Sequence, residues 1–264
     1  MSDKVEGNLM MIGKAGGGAT AISTADADTI TVRGKDLTGD VMGRLSFSAY
    51  FFLLSTGREP SATETEFLDL LLVAIAEHGL VPTNQVARMT LAADPDCLQG
   101  AVAAGILGCG SVILGTAEAC GAFLAKASEA GEEALPGMIA EMRARGDKVP
   151  GFGHPVHKPL DPRAERIFEL AEARGVAGQN VALAKATRAA VHEAWGKPLT
   201  LNVSMAIAAV LLDLDFPRAI LKGVPILART ASLLAHLAEE KERPIGFYMA
   251  HHAEEAVSYD GEGA

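Results

Sequence analysis

The sequence predicts a mainly α-helical protein with one short β-hairpin near its start, and three observations carry that prediction. From about residue 61 to residue 240, apolar residues recur at the three- and four-residue spacing of helices that bury one face. Helix start and stop signals cut this run into segments of ordinary helix length. Only "TAISTADADTITVRGKDL", residues 20–37, sets β-branched residues on either side of a polar turn, at Asp26–Asp28, as a hairpin does.

Each element follows in order. "SATETEFLDLLLVAIAEHG" opens with Ser61 and Glu64 in capping-box spacing and carries Phe67, Leu70, Leu71 and Ala74 on one face. His78 falls in its C-terminal turn, where the negative end of the helix dipole favours a protonated imidazole, and Gly79 supplies the stop. The next helical block runs from about Asp96 to Ala127, broken at "GCG", residues 108–110. A polar helix over Gly131–Arg145 follows, and further helices are expected at 162–174, 179–194, 203–213, 217–222 and 225–240. There is no internal repeat and no low-complexity linker, so any division into domains rests on packing.

With 264 residues, 49% of them hydrophobic, the chain can build one large domain or two smaller ones with real cores. A net charge of −10 argues against nucleic acid as the main partner, because a phosphate backbone demands a basic face. Cys97, Cys109 and Cys120 show no metal spacing and leave one over from any disulfide, which points to a reducing cytoplasm. Residues 1–20 show no secretory signal. "LQGAVAAGILGCGSVILGTAEACGAFL" has the length of a membrane span, yet its small residues, Glu118 and lack of basic flanks fit close helix packing instead.

"VPGFGHPVHKPLDPRAERI", residues 149–167, does not read as ordinary structure. Gly151 and Gly153 permit backbone geometries that other residues avoid, while Pro150 and Pro155 stiffen the ends, so His154 is aimed at a fixed point. A rigid loop running into a helix start offers free N–H groups to an anion, and His157, Lys158 and Arg163 strengthen that field. Arg229 sits inside an apolar helical pattern and needs an anionic partner, either a structural carboxylate or a substrate. Neither Arg243 before Pro244 nor the exposed-looking pair His251–His252 points to chemistry unaided. Dinucleotide, P-loop, HExxH and GxSxG motifs are all lacking.

"PGFGHPVHKPLDPRA" resembles the signature of the citrate synthase superfamily, a Gly-x-Gly-His turn leading to an Asp-Pro-Arg-Ala helix start. "AEHG" at 76–79, "TITVRGKDL" with the segment after it, "ARTASLLAHLAEE" and "ERPIGFY" resemble further motifs, so the likeness covers roughly residues 20–260. It is greatest to the short branch that contains citryl-CoA lyase and that also forms the C-terminal part of ATP-citrate lyase. The resemblance implies a citrate-synthase-like fold with a large domain, residues 1–120 and 215–264, and a small domain, residues 121–214. It further implies a homodimer or higher homo-oligomer and a cytoplasmic enzyme that binds neither membrane nor nucleic acid. Acyl-CoA and a di- or tricarboxylate would be its partners, with coenzyme A part of substrate and product, no tightly bound cofactor and no metal. By the same resemblance His78 and His154 act on the oxygen at the reacting carbon, and Arg163, Arg229 and Arg243 hold carboxylates. Lys148, His157 and Lys158 lie by CoA.

Two departures from the family pattern stand out. "GSVILGTAEA" carries Ile113 where citrate synthases have a histidine, as citryl-CoA lyases also do not. "LTLNVSMAIAAVLLDLDF" carries Ser204 where both branches have a catalytic aspartate. A serine hydroxyl is no substitute for a general base, a group worth about 10²–10⁴-fold. Either another carboxylate reaches in, Asp213 or Asp215 being nearest in sequence, or a different 3-hydroxy-acyl-CoA is used, or the protein binds CoA or carboxylates without catalysis.

Overall fold

The computed structural model describes residues 18–261, and they are mainly helical, as expected. The hairpin forms where predicted: β1 (Ser23–Ala25) pairs antiparallel with β2 (Ile30–Val32), Thr24 opposite Thr31. The Asp26 carboxylate makes the turn by accepting the N–H groups of Asp28 and Thr29 at 2.9 and 2.8 Å. A third strand, β3 (Lys35–Asp36), extends the sheet through a turn in which Arg33 and Gly34 both take positive φ. Arg33 then reaches the C-terminal turn of α1 (Phe47–Thr56), donating from Nε to the Leu54 carbonyl at 3.0 Å.

Two compact units divide the chain, one up to Thr65 and one from Glu66 onward. The helix α2 (Ala62–Ala76) starts on the expected capping box: Glu64 N–H donates to Ser61 Oγ at 3.1 Å, and Ser61 N–H to Glu64 Oε2 at 2.7 Å. In the second unit α3 (Pro82–Ala93) packs on α4 (Leu98–Leu107), α10 (Gly223–Glu242) and α11 (Gly246–Ala256). A second group joins α5 (Thr116–Ala130), α6 (Leu135–Arg145), α7 (Pro162–Ala173), α8 (Gln179–Trp195) and α9 (Val203–Asp213). The break at 108–110 appears as the turn between α4 and α5, so the long apolar stretch is two short helices. Nearly every residue of α9 is buried, which is why its sequence is apolar all round.

The segment expected as a helix at 217–222 is a single 3-10 turn, Arg218–Ile220, leading into α10. Helices α1, α3 and α11 are not among those the pattern predicts. Proline starts α3, whose buried face includes Thr83, Asn84 and Arg88. Such a polar inner face hides from an apolar-periodicity reading. Arg88, 1% exposed, is the anchor: its guanidinium pairs with Glu239 and Glu240 of α10, at 3.0 Å to Glu240. Glu240 in turn accepts the N–H groups of Ile245 and Gly246 at 2.8 and 2.7 Å, capping the start of α11. The segment Arg218–Glu242 is long and apolar enough to cross a membrane by composition, yet it carries the buried Arg229 and Glu240.

Candidate active site

The predicted loop is fixed by its neighbour in space, the strand-like segment before α9. Gly153 N–H donates to the Thr200 carbonyl at 2.7 Å, and Asn202 N–H to the Gly151 carbonyl at 2.8 Å. Asn202 Nδ2 reaches the Gly153 carbonyl at 3.1 Å, and Thr200 Oγ the His157 carbonyl at 3.0 Å. Gly151 is required twice over. Its φ is +78°, and a Cβ there would lie 2.7 Å from Met205 Cβ and 2.8 Å from Cys120 Sγ.

Asp161 locks the far end. Fully buried, it is the N-cap of α7 and accepts from the Arg163 N–H at 3.1 Å. It also accepts from Arg163 Nε at 3.0 Å, from Arg163 Nη2 at 2.9 Å and from the first N–H of α9, Val203, at 3.0 Å. Burial alone would raise its pKa, but these donors, Arg163 first, hold the carboxyl below its ordinary value. One carboxylate thus sets a guanidinium and two helix starts at once.

Three histidines converge at this point. His78 Nε2 stands 3.4 Å from His157 Nε2, and the His154 ring stacks on the His157 ring with centroids 4.4 Å apart. His154 Nδ1 accepts two backbone N–H groups, from Val156 at 3.1 Å and His157 at 2.9 Å, so its proton resides on Nε2. Burial, chiefly, and then His157, Arg163 and His78 push its pKa down, against the pull of Asp161, so the ring is neutral. His154 Nε2 lies 3.3 Å from Arg163 Nη2. Both atoms are donors, and neither can accept from the other; the pair can hold one acceptor, such as a ligand oxygen, between them.

One imidazole nitrogen from each of His78, His154 and His157 lies within 4.8 Å of the other two, a spacing a divalent ion could use. The donor chemistry opposes it. A metal ligand needs a nitrogen lone pair, the free nitrogen of His154 carries a proton, and the Arg163 cation adjoins it. The cluster suits an oxyanion.

His78 is held from behind by a network the sequence did not reveal. Glu77 accepts the N–H of His78 at 2.9 Å and that of Gly79, and its other oxygen accepts from Ser232 and from His236 Nε2, the latter at 3.1 Å. His236 keeps its proton on Nε2 because its Nδ1 accepts from Arg88 Nε at 3.1 Å. Arg229 is 2% exposed, as expected for a buried cation, but its partners are Asn84 Oδ1 at 3.0 Å and Ser232 Oγ at 3.3 Å rather than a carboxylate. Its Nε has no partner among the described residues. Asn84 Nδ2 donates to the Gly79 carbonyl at 2.7 Å, so Arg229 is one side chain removed from the His78 turn. Asn84 and Arg88 lie on the polar inner face of α3, which a search for apolar periodicity passes over.

The remaining expected residues fall as follows. Ser204 lies in the first turn of α9, its N–H donating to Asn202 Oδ1 at 3.0 Å, directly after the Val203 that Asp161 holds. Lys148 lines a cavity of about 260 Å³ with Arg143, Phe152 and Trp195, on the side of the loop where Phe152 bridges to Leu201. Lys158 and Arg243 are exposed, Arg243 at the C-terminal end of α10. His157 belongs to the histidine cluster, not to the Lys148 cavity. His251 and His252 are exposed on α11.

Asp213 does not reach in. Its two oxygens accept the N–H groups of Gly178, Asn180 and Val181 at 2.8, 2.9 and 3.0 Å and the Asn180 side chain at 2.9 Å, so it caps α8. Asp215 is exposed in the left-handed turn after α9. Asp213→Ala should therefore lower stability by about 2 kcal/mol, the upper reach for loss of a helix cap, and leave the turnover number unchanged. A fall in turnover at unchanged stability, measured by urea unfolding beside the assay, would return Asp213 to the site.

A helical fold with a glycine-framed histidine loop, a second histidine just past a helix end and a guanidinium held at a helix start makes a donor-rich site with the chemistry to hold an anion. The family model "Citrate synthase, C-terminal domain" matches residues 18–246, and the chain belongs to the citrate synthase family. A citrate synthase of Heyndrickxia coagulans is 29% identical over 75% of this chain and 53% of its own length. The citrate/2-methylcitrate synthase of Bacillus subtilis is 29% identical, over 74% and 53%. The chain thus spans about half the length of the curated relatives it matches. The solved citryl-CoA lyase of Hydrogenobacter thermophilus is 28% identical with a TM-score of 0.85, covering 93% of this chain and 95% of that one. ATP citrate lyase of Methanothrix soehngenii, solved with citrate and coenzyme A, shares the fold at 22% identity and a TM-score of 0.82.

Proposed function

We propose that this protein is a CoA-dependent carbon–carbon lyase that cleaves citryl-CoA to acetyl-CoA and oxaloacetate. The observation that carries this reading is the pair of donors, His154 Nε2–H and Arg163 Nη2, set 3.3 Å apart, near enough for one oxygen to accept from both. Cleaving a carbon–carbon bond beside a hydroxyl requires that oxygen first to lose its proton and carry negative charge. A neutral imidazole N–H and a guanidinium already oriented toward it stabilise the charge without rearranging. Arg229, buried with an unused Nε, supplies a second site for a carboxylate. Ile113, placed where citrate synthases carry a histidine, and the structural likeness to the solved citryl-CoA lyase favour cleavage over condensation.

Coenzyme A enters as part of the substrate, with no resident cofactor. The cavity of Lys148, Arg143 and Trp195 offers two cations and an aromatic face, the chemistry that holds phosphates and stacks a base. A cytoplasmic homo-oligomer is the proposed working form. Purified protein incubated with citryl-CoA should release oxaloacetate and acetyl-CoA in equal amounts; no release would overturn the lyase reading. Citrate should raise the melting temperature of the wild type, and Arg229→Gln should lose at least nine-tenths of that shift. Equal shifts in the two proteins would mean that Arg229 serves packing alone.

A further inference from the structure

With Ser204 in the position of the family's aspartate, the lyase proposed above lacks its usual proton-transfer group at the carbon that leaves as acetyl-CoA. The carboxylates adjoining the cluster are committed elsewhere. Asp161 is filled by Arg163 and Val203, Asp213 caps α8, and Glu77 receives His78, Gly79, Ser232 and His236. What remains is the His78–His157 contact. The two Nε2 atoms lie 3.4 Å apart, so a proton can pass between the rings.

His78 follows the C-terminal end of α2, its backbone N–H donating to Glu77 Oε1 at 2.9 Å. His157 is stacked on His154, the ring centroids 4.4 Å apart. Its backbone is fixed at both polar groups, the N–H on His154 Nδ1 and the carbonyl on Thr200 Oγ, so the ring is positioned and only half-buried. We infer that His157 is the catalytic proton-transfer residue of this protein, doing at the thioester α-carbon what an aspartate at position 204 would do. In cleavage, His157 Nε2 takes the proton of the substrate hydroxyl. The oxygen's electron pair forms the keto group as the carbon–carbon bond breaks, and the bonding pair moves to the thioester α-carbon. His157 then gives its proton to that carbon and returns to neutral, with nothing consumed.

This role rests on the lyase proposed above, and the test separates the two. In D₂O the protein is incubated with acetyl-CoA, and deuterium in the methyl group is followed by mass spectrometry, alongside citryl-CoA cleavage. His157→Gln should lower exchange and cleavage at least hundredfold, the middle of what general acid–base catalysis supplies, with an unchanged melting temperature. Adding Ser204→Asp to His157→Gln should recover at least tenfold, which a merely structural His157 would not allow. If His157→Gln unfolds, His157→Asn carries the same comparison. Exchange that depends on His157 without citryl-CoA cleavage would retire the citryl substrate and keep the residue's role. Full exchange in the His157 variants, or none in the wild type, would overturn it.

Discussion

His154→Asn should lower citryl-CoA cleavage about 10³-fold, as loss of a preorganised oxyanion donor does, while the melting temperature stays close to that of the wild type. Asparagine separates the two jobs of this side chain. Its Oδ1 can take the place of Nδ1 and accept the N–H groups of Val156 and His157, which hold the loop, but nothing replaces the Nε2–H beside Arg163. The pKa of His154 adds a second readout. Burial, then His157, hold it below the ordinary 6.5, so on acidification from that value the unfolded chain takes up a proton more readily than the folded one. Wild-type stability should fall over that window, and His154→Asn should flatten the part due to this ring. Unchanged cleavage would remove His154 from the chemistry, and a collapse in stability would make it a structural residue.

Asp161→Asn should be the most damaging single substitution in both stability and turnover. It leaves Arg163 without its buried partner, an effect worth about 3 kcal/mol, and it weakens the starts of α7 and α9 together. Turnover should fall at least a hundredfold, because Arg163 and the Asn202–Ser204 turn are both set by this carboxylate. The acid limb of the stability curve supplies the check. Arg163 and the backbone N–H groups, outweighing burial, hold Asp161 below the ordinary 3.8, so its contribution is complete above that value and is lost as pH falls through the folded pKa. In Asp161→Asn that loss should be absent. Urea unfolding at matched pH would show it, and an acid limb equal to the wild type's would contradict the assignment.

The parts of the site legible in the sequence were those with local signatures. Gly153–His154–Pro155, the Asp161–Pro162 helix start and the Ser61/Glu64 box each declare their geometry within four residues. Arg229 was legible as a buried cation because apolar neighbours surround it in the helical pattern. Its partners were not. Asn84 lies 145 positions away on a helix whose inner face is polar, and the pattern that finds amphipathic helices passes over such a face. Asp213 was misleading for the opposite reason. Sequence distance placed it near Ser204, whereas the packing of α8 on α9 gave both its oxygens to backbone N–H groups.

By itself, then, the chain order determined the helical class, the hairpin, the histidine loop and the family that they mark, because backbone preference and periodicity act over a few residues. Tertiary structure alone decided the tautomer of His154, the double-donor face it forms with Arg163 and the meeting of His78 with His157. Those depend on which hydrogen-bond partner each nitrogen finds, and the partners come from segments up to 79 residues apart that only the folded core brings within 3.5 Å.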